Sequence, residues 1–329
     1  MKKIIVLILM LILTLSLTLA LCGCGTVRDT NGNEIDKQSQ QYIDKALSIV
    51  NKEWKSAYSK NADKNQTDKT VEIINARIIH IKENGIKEFK DVDAVVEFDI
   101  LSDYYGSAPY YSNIQQYDTV VFYKDGSTKT MDIFKAYTQS CYVTDYSDVI
   151  ENVVECGEAY NTNKIKVEDP SGDNNDFVEQ AIEALKNGWA EELSKHNEDN
   201  AQKSDGTLKI CNTRLISINQ NSAHQNFEKY FGDIQAIVEF EVYSDFYGSA
   251  PYYVNAGIND SVIIHTDGTP ELASHYIRNV GSATYVWDFS QLFSDVLYFG
   301  DKYNQTFNLF GNEIKSLDDD FFEAVDNLN

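Results

Sequence analysis

Val96-Glu97-Phe98 through Tyr105-Gly106-Ser107-Ala108-Pro109-Tyr110-Tyr111 returns later in the chain as Val238-Glu239-Phe240 through Tyr247-Gly248-Ser249-Ala250-Pro251-Tyr252-Tyr253. A copy of this quality decides the architecture before any propensity argument, because self-similar segments fold as equivalent units. Outward from it, Trp54 pairs with Trp189, Asn75 and Arg77 with Asn212 and Arg214, and the turn Asp125-Gly126 with Asp267-Gly268. Tyr142 to Ser147 likewise pairs with Tyr285 to Ser290. The register widens mainly between Lys82 and Val95, where the second copy carries the additional stretch Asn219 to Ile237. Insertions belong in surface connections, so this stretch is expected between two strands. The repeats are placed at residues 41–166 and 177–304, each about 120–130 residues and large enough for a core of its own. Residues 167–176 form a polar linker with Pro170 and Gly172. Its Asp and Asn residues lack the fixed ligand spacing and terminal Glu of a calcium loop. Residues 305–329 are a C-terminal extension, with Ser316 to Leu328 expected as a short acidic helix.

Within one repeat, Tyr42, Ile43, Ala46, Leu47, Val50, Trp54 and Tyr58 recur at helical spacing, as do Phe177, Ile182, Leu185, Trp189 and Leu193. Each set predicts one amphipathic helix with a single apolar stripe. Val92, Ala94, Val96, Phe98 and Ile100 alternate with a mixed set that includes Glu97 and Asp99, predicting a strand with one apolar face and Glu97 on its solvent side. Thr119 to Tyr123 and Lys129 to Phe134 flank Asp125-Gly126, a strong hairpin signal because Gly supplies the positive φ of the turn. Val149, Ile150, Val153 and Val154 predict a last helix, capped by Asp145 or Ser147. The fold class is therefore α+β: two tandem repeats, each an antiparallel sheet of about four strands covered by an N-terminal helix and closed by a C-terminal helix. This element order resembles the cystatin-like and NTF2-like domains, which implies a curved sheet around its helix, often with a ligand pocket between them, and no particular chemistry.

Lys2 and Lys3 precede an apolar run from Ile4 that ends at Leu21-Cys22-Gly23-Cys24. This is the layout of a secretory signal peptide, and its exit resembles the lipobox of bacterial lipoproteins, with Gly23 before the modified Cys24. The resemblance implies a signal peptide over 1–23, a diacylglyceryl thioether on Cys24, and an extracytoplasmic protein anchored in the cell membrane by its acyl chains. Residues 24–40 are then expected as a polar tether. An uncleaved N-terminal membrane helix is the alternative.

The formal net charge is −23, and loss of Lys2 and Lys3 with a leader makes it more negative. Such a chain repels phosphate backbones, so nucleic acid is excluded as a partner, and anionic lipid is repelled as well. Cysteines are sparse and no Cys-x-x-Cys pair follows Cys24, which removes zinc knuckles and thioredoxin-type sites. Cys141 and Cys156 have Thr284 and Phe299 in their places in the second copy. Buried free thiols are therefore expected in preference to a disulfide.

No nucleophile elbow, phosphate-binding loop, zinc-protease or dinucleotide motif occurs in the chain after Cys24, and no cofactor or metal is expected. The duplicated acids are Glu97/Glu239, Asp103/Asp245, Asp118/Asp260 and Asp145/Asp288. Paired carboxylates would suit glycoside hydrolysis only if opposed across a cleft; turns and caps account for most of them. His80 and His265 are not duplicated. The tyrosine run opens a connection from about Gly106 to Tyr117, far longer than the usual hairpin loop of about two to five residues. Tyr105, Tyr110, Tyr111, Tyr247, Tyr252 and Tyr253 are accordingly the candidate contacts for a ligand or partner, such as an envelope glycan, peptide or protein, since Tyr combines a flat apolar body with a hydroxyl. The same residues would also serve to pack the two copies together. The leading expectation is a non-catalytic binding or interaction module; the alternatives are an envelope hydrolase and a structural spacer.

Overall fold

The structure, a computed structural model, describes residues 27–61, 69–83, 86–104, 109–132, 134–141, 143, 145–162, 167–168, 172–200, 203–247, 250–284 and 288–311. The signal peptide, Cys24 and the acidic helix expected over Ser316 to Leu328 lie outside these residues.

Helix α1, Lys37–Asn61, begins where Asp36 caps it: its Oδ1 accepts from the Gln38 and Ser39 amides at 2.9 and 3.0 Å. Its inner stripe, Ile43, Ala46, Val50, Trp54, Ala57 and Tyr58, is buried, as the sequence spacing predicts. Eleven-residue strands β1, Val71–Ile81, and β2, Val92–Ser102, pair antiparallel beneath it. Short β3, Ser112–Asn113, adds to β2. The hairpin of β4, Thr119–Tyr123, and β5, Thr128–Met131, turns at Asp125-Gly126, with Gly126 at φ 84°. Helix α2, Phe134–Ser140, then leads to β6, Ile150–Glu155.

The second copy repeats the order. It comprises α3 Asp173–Asp199, β7 Thr207–Ile218, α4 Phe227–Tyr230, β8 Ile234–Ser244, β9 Val254–Asn255, β10 Ser261–His265, β11 Pro270–Ala273, α5 Tyr276–Thr284, β12 Phe293–Tyr298 and β13 Gln305–Asn308. The sheet paths are β5-β4-β2-β1-β6 and β11-β10-β8-β7-β12, so the chain forms two antiparallel sheets in an α+β fold. The insertion between β7 and β8 carries α4, in the connection where the copies diverge.

Four elements differ from the sequence expectation. The closing helix is a strand: Asp145 Oδ1 caps only the turn Tyr146–Asp148, and Ile150–Glu155 then pairs with the free edge of β1. β-Branched Val and Ile at these positions suit either period, and the open edge of β1 decides for the strand. The strand expected over Lys129 to Phe134 stops at Met131, and its last residue, Phe134, starts helix α2. The proposed tether is largely folded: Arg28 bridges to Glu34, Ile35 is buried, and α1 starts at Lys37. Residues 305–308 are a strand, β13, paired with β7, so the second unit extends past residue 304.

Each sheet has one face under its long helix. Trp54 packs there with Ile78, Val96, Phe98 and Val120 in the first copy; Trp189 packs with Leu215, Val238, Phe240 and Val262 in the second. The opposite faces, the mixed ones by sequence, turn toward the other copy, and Tyr252 and Val254 sit in a first-copy core cluster with Val95, Val121 and Phe134. Tyr110 sits likewise with Ile237, Ile263 and Phe293 of the second copy. The two halves thus share core residues.

Candidate functional site

The repeated tyrosines meet an internal partner first. Tyr110 is 2% exposed, and its hydroxyl donates to the Glu239 carboxylate of the other copy, 3.1 and 3.0 Å from the two oxygens. Its ring stands edge-on to Phe289 and Phe293, with centroids 5.4 and 6.0 Å away. Tyr252, also 2% exposed, reciprocates: its hydroxyl lies 2.9 and 2.7 Å from the Glu97 oxygens, and its ring stands edge-on to Phe134 and Tyr146. Each loop therefore inserts one aromatic ring into the neighbouring repeat, a reciprocal latch between the two copies. Such insertion combines apolar burial with a charge-assisted hydrogen bond.

The carboxylates that receive these hydroxyls are buried at 3% exposure for Glu97 and 5% for Glu239, which overturns the solvent-facing placement of Glu97. Alternation along β2 does put Glu97 opposite the helix face; the second copy then covers that side. Arg77 Nε lies 2.9 Å from Glu97 and Arg214 Nε 2.7 Å from Glu239, with Asp99 3.3 Å from Arg77 and Glu241 3.8 Å from Arg214. Tyr243 of the second copy joins the first ion pair, accepting from Arg77 and donating to Asp99. Asn113 of the first copy donates to Glu241 of the second. Burial works against both guanidinium charges, but the facing carboxylates outweigh it and hold both arginines protonated. Burial likewise pushes the Tyr110 and Tyr252 hydroxyls well above their usual range, so both remain donors. Burial also raises Glu241, with Arg214 opposing and Asp99 adding to the shift.

The other candidates fall at the margins of this contact. Tyr111 is half-buried beside Ile74, Leu101 and Tyr298, its backbone N–H donating to the Tyr298 hydroxyl at 3.3 Å. Tyr253 is half-buried and donates to Asp205 at 3.2 Å. Tyr105 and the Tyr247 side chain lie outside the described residues. Tyr110 and Tyr252 contact the opposite repeat, the second of the two roles that the sequence offers them.

An open space of about 640 Å³ remains beside the latch, within the roughly 300–1,000 Å³ range of small-molecule sites. Asn75 and Glu155 line it from the first copy, Lys209 and Asn212 from the second, and Arg28 to Asn31 from the N-terminal segment. Both Asn residues sit at matched β-bulges, which break the ladder at Ile73/Asn75 in β1 and at Cys211/Arg214 in β7. Bulges re-aim side chains and concentrate near functional sites. Asn212 has φ 52°, a left-handed conformation uncommon outside Gly, and its amide is held by Asn304 Oδ1 at 2.9 Å. Asn75 donates to Asp99 at 3.1 Å, while its buried Oδ1 has no hydrogen-bond partner among the described residues. Lys209 pairs with Glu155 across the two halves. The Asn-x-Arg repeat at 75–77 and 212–214 was visible in the sequence, but bulge and cleft were not.

The thiols of the cleft are not poised as nucleophiles. Cys156 and Cys211 line it as free thiols, and burial pushes both up to about 12, leaving negligible thiolate at neutral pH. Cys141 is also free, though only half-buried. No group of three metal-ligating side chains occurs among the described residues. Asp103 accepts from Tyr58 and the Lys69 amide, Asp245 from Ser204 and the Asp205 amide, and Asp145 and Asp288 cap turns. Asp118 accepts from Thr119, and Asp260 is ion-paired with His275. Among the described residues no helix is long and apolar enough to cross a membrane. Family models, curated protein sequences and solved structures contain no match to this chain.

Proposed function

We propose that this chain is a lipid-anchored extracytoplasmic protein that binds a polar ligand without transforming it, in the cleft between its two repeats. The single observation that carries this reading is the 640 Å³ space lined by both copies, with Asn75 and Asn212 of the two matched bulges in its lining. The lipobox-like exit at Cys24 supports the anchor. The hydrolase reading is weakened because Glu97 and Glu239 are engaged by arginines and tyrosines and do not face an open cleft.

A structural spacer is the second reading, favoured by the burial of Tyr110 and Tyr252, which rigidly joins the halves. The two separate in one experiment. The chain from residue 24 with Cys24→Ser is used to capture material from envelope extracts, alongside Thr306→Trp, which fills the cleft from an exposed position on β13. Capture by the parent and its loss in Thr306→Trp support binding; identical profiles for both chains support the spacer.

A further inference from the structure

Resting on that binding reading, we propose that the cleft opens at the membrane surface and takes a neutral, polyhydroxylated ligand, the sugar headgroup of a membrane lipid. The fold begins very close to the anchor residue. Val27 O accepts from the Ile35 amide at 2.9 Å, and Thr30 N–H donates to Glu155 O at 2.8 Å, which fixes this segment against both its own helix start and β6. Only three peptide steps separate Cys24 from Val27. At about 3.3–3.6 Å per residue that is at most about 11 Å of chain, and Arg28, on the cleft wall, lies at most about 14 Å from Cys24. A diacylglyceryl group on Cys24 therefore holds the cleft rim at headgroup level. A long tether would have let the cleft sample the space beyond the membrane; the folded residues 27–36 remove that freedom.

The lining selects the headgroup chemistry. Amides from Asn31, Asn75, Asn212 and Gln305, with the Thr306 hydroxyl, offer both donors and acceptors. Sugar hydroxyls are likewise donor and acceptor at once. Charges on the wall nearly cancel: Lys209 is paired with Glu155, and Arg28 stands beside Asp29, with Asp301 adding a further acid. A phosphate-selective site would concentrate unpaired Arg or Lys, and the chain's net charge of −23 repels anionic surfaces.

The test is co-sedimentation of the Cys24→Ser chain from residue 24 with three vesicle types: phosphatidylcholine, phosphatidylcholine with diglycosyl-diacylglycerol, and phosphatidylcholine with phosphatidylglycerol. At least tenfold stronger binding to the glycolipid vesicles is expected, reduced to background by Thr306→Trp or by Asn31→Trp in the N-terminal part of the lining. Both positions are exposed, and unchanged melting temperatures establish that the variants fold. Competition by the free disaccharide headgroup confirms that the sugar is what binds. Equal binding to all vesicles, or glycolipid binding that both Trp variants retain, overturns the proposal. Tight binding of the free disaccharide with no vesicle preference overturns the membrane source and leaves the sugar chemistry. If glycolipid fails while Thr306→Trp still abolishes capture from envelope extracts, the cleft binds something else and only this inference falls.

Discussion

Truncating the two exchanged tyrosines should undo the association of the repeats. Tyr110→Ala removes a ring packed against Phe289 and Phe293 and the hydroxyl bound to Glu239; Tyr252→Ala does the same against Phe134, Tyr146 and Glu97. Large aromatic-to-Ala changes in cores cost about 3–5 kcal/mol. Loss of a hydrogen bond to a charged group adds about 1.5 kcal/mol at the low end of its range, because Arg214 and Arg77 still hold the carboxylates. Each site is thus worth about 4.5–6.5 kcal/mol, and the pair about 9–13 kcal/mol, comparable with the whole stability of about 5–15 kcal/mol of an ordinary protein. The paired Phe substitutions isolate the hydroxyls: about 3 kcal/mol in total, or roughly 6–12 °C at about 2–4 °C per kcal/mol for a chain of this size class. Urea denaturation followed by near-UV and far-UV circular dichroism reads both. Less than about 2 kcal/mol lost by the double Ala variant would refute the latch, since no buried, hydrogen-bonded ring is that cheap to remove.

Arg214→Met should cost about 3–5 kcal/mol by leaving Glu239 and Glu241 buried with no cation, and adding Glu239→Gln should recover part of that loss; thermal melts of the three chains check it. The Asp260 hydrogen bond and charge raise the His275 pKa despite burial. A raised folded-state pKa gives stability that is full below the unfolded value and lost as pH rises through the folded one. Urea midpoints should therefore fall as pH rises past neutrality, and His275→Gln should flatten that slope. Iodoacetamide at mildly alkaline pH should label half-buried Cys141 well before Cys156 and Cys211, whose thiols are held at about 12, as peptide mass mapping would show.

The repeat made the two-unit α+β architecture legible, and periodicity identified most of the stripe of α1 around Trp54 and of α3 around Trp189, although Tyr42, Leu47, Phe177 and Ile182 are only partly buried. The hairpin at Asp125-Gly126 was equally plain, because its signal is local. What failed depended on partners distant in sequence. Glu97 alternates like a solvent residue and is buried because the Phe134 segment and the second copy, with Tyr252, cover it. Val149 to Val154 fit a helical stripe and a strand equally, and the choice came from an edge of β1 some seventy residues earlier. The duplicated tyrosines pointed to a contact, but no local pattern tells a ligand from a second copy of the same domain. The cleft was least legible: Asn75 and Asn212 matter through bulges, and nothing in their neighbours' composition announces a bulge.

The exchange of Tyr110 and Tyr252 between repeats is observed most directly by an isotope-edited nuclear Overhauser experiment on the folded chain. Cross-peaks are predicted from the Tyr110 ring to Phe289 and Phe293, and from the Tyr252 ring to Phe134 and Tyr146. Tyrosine cross-peaks confined to each ring's own repeat would contradict the latch, and with it the cleft that the joined repeats enclose.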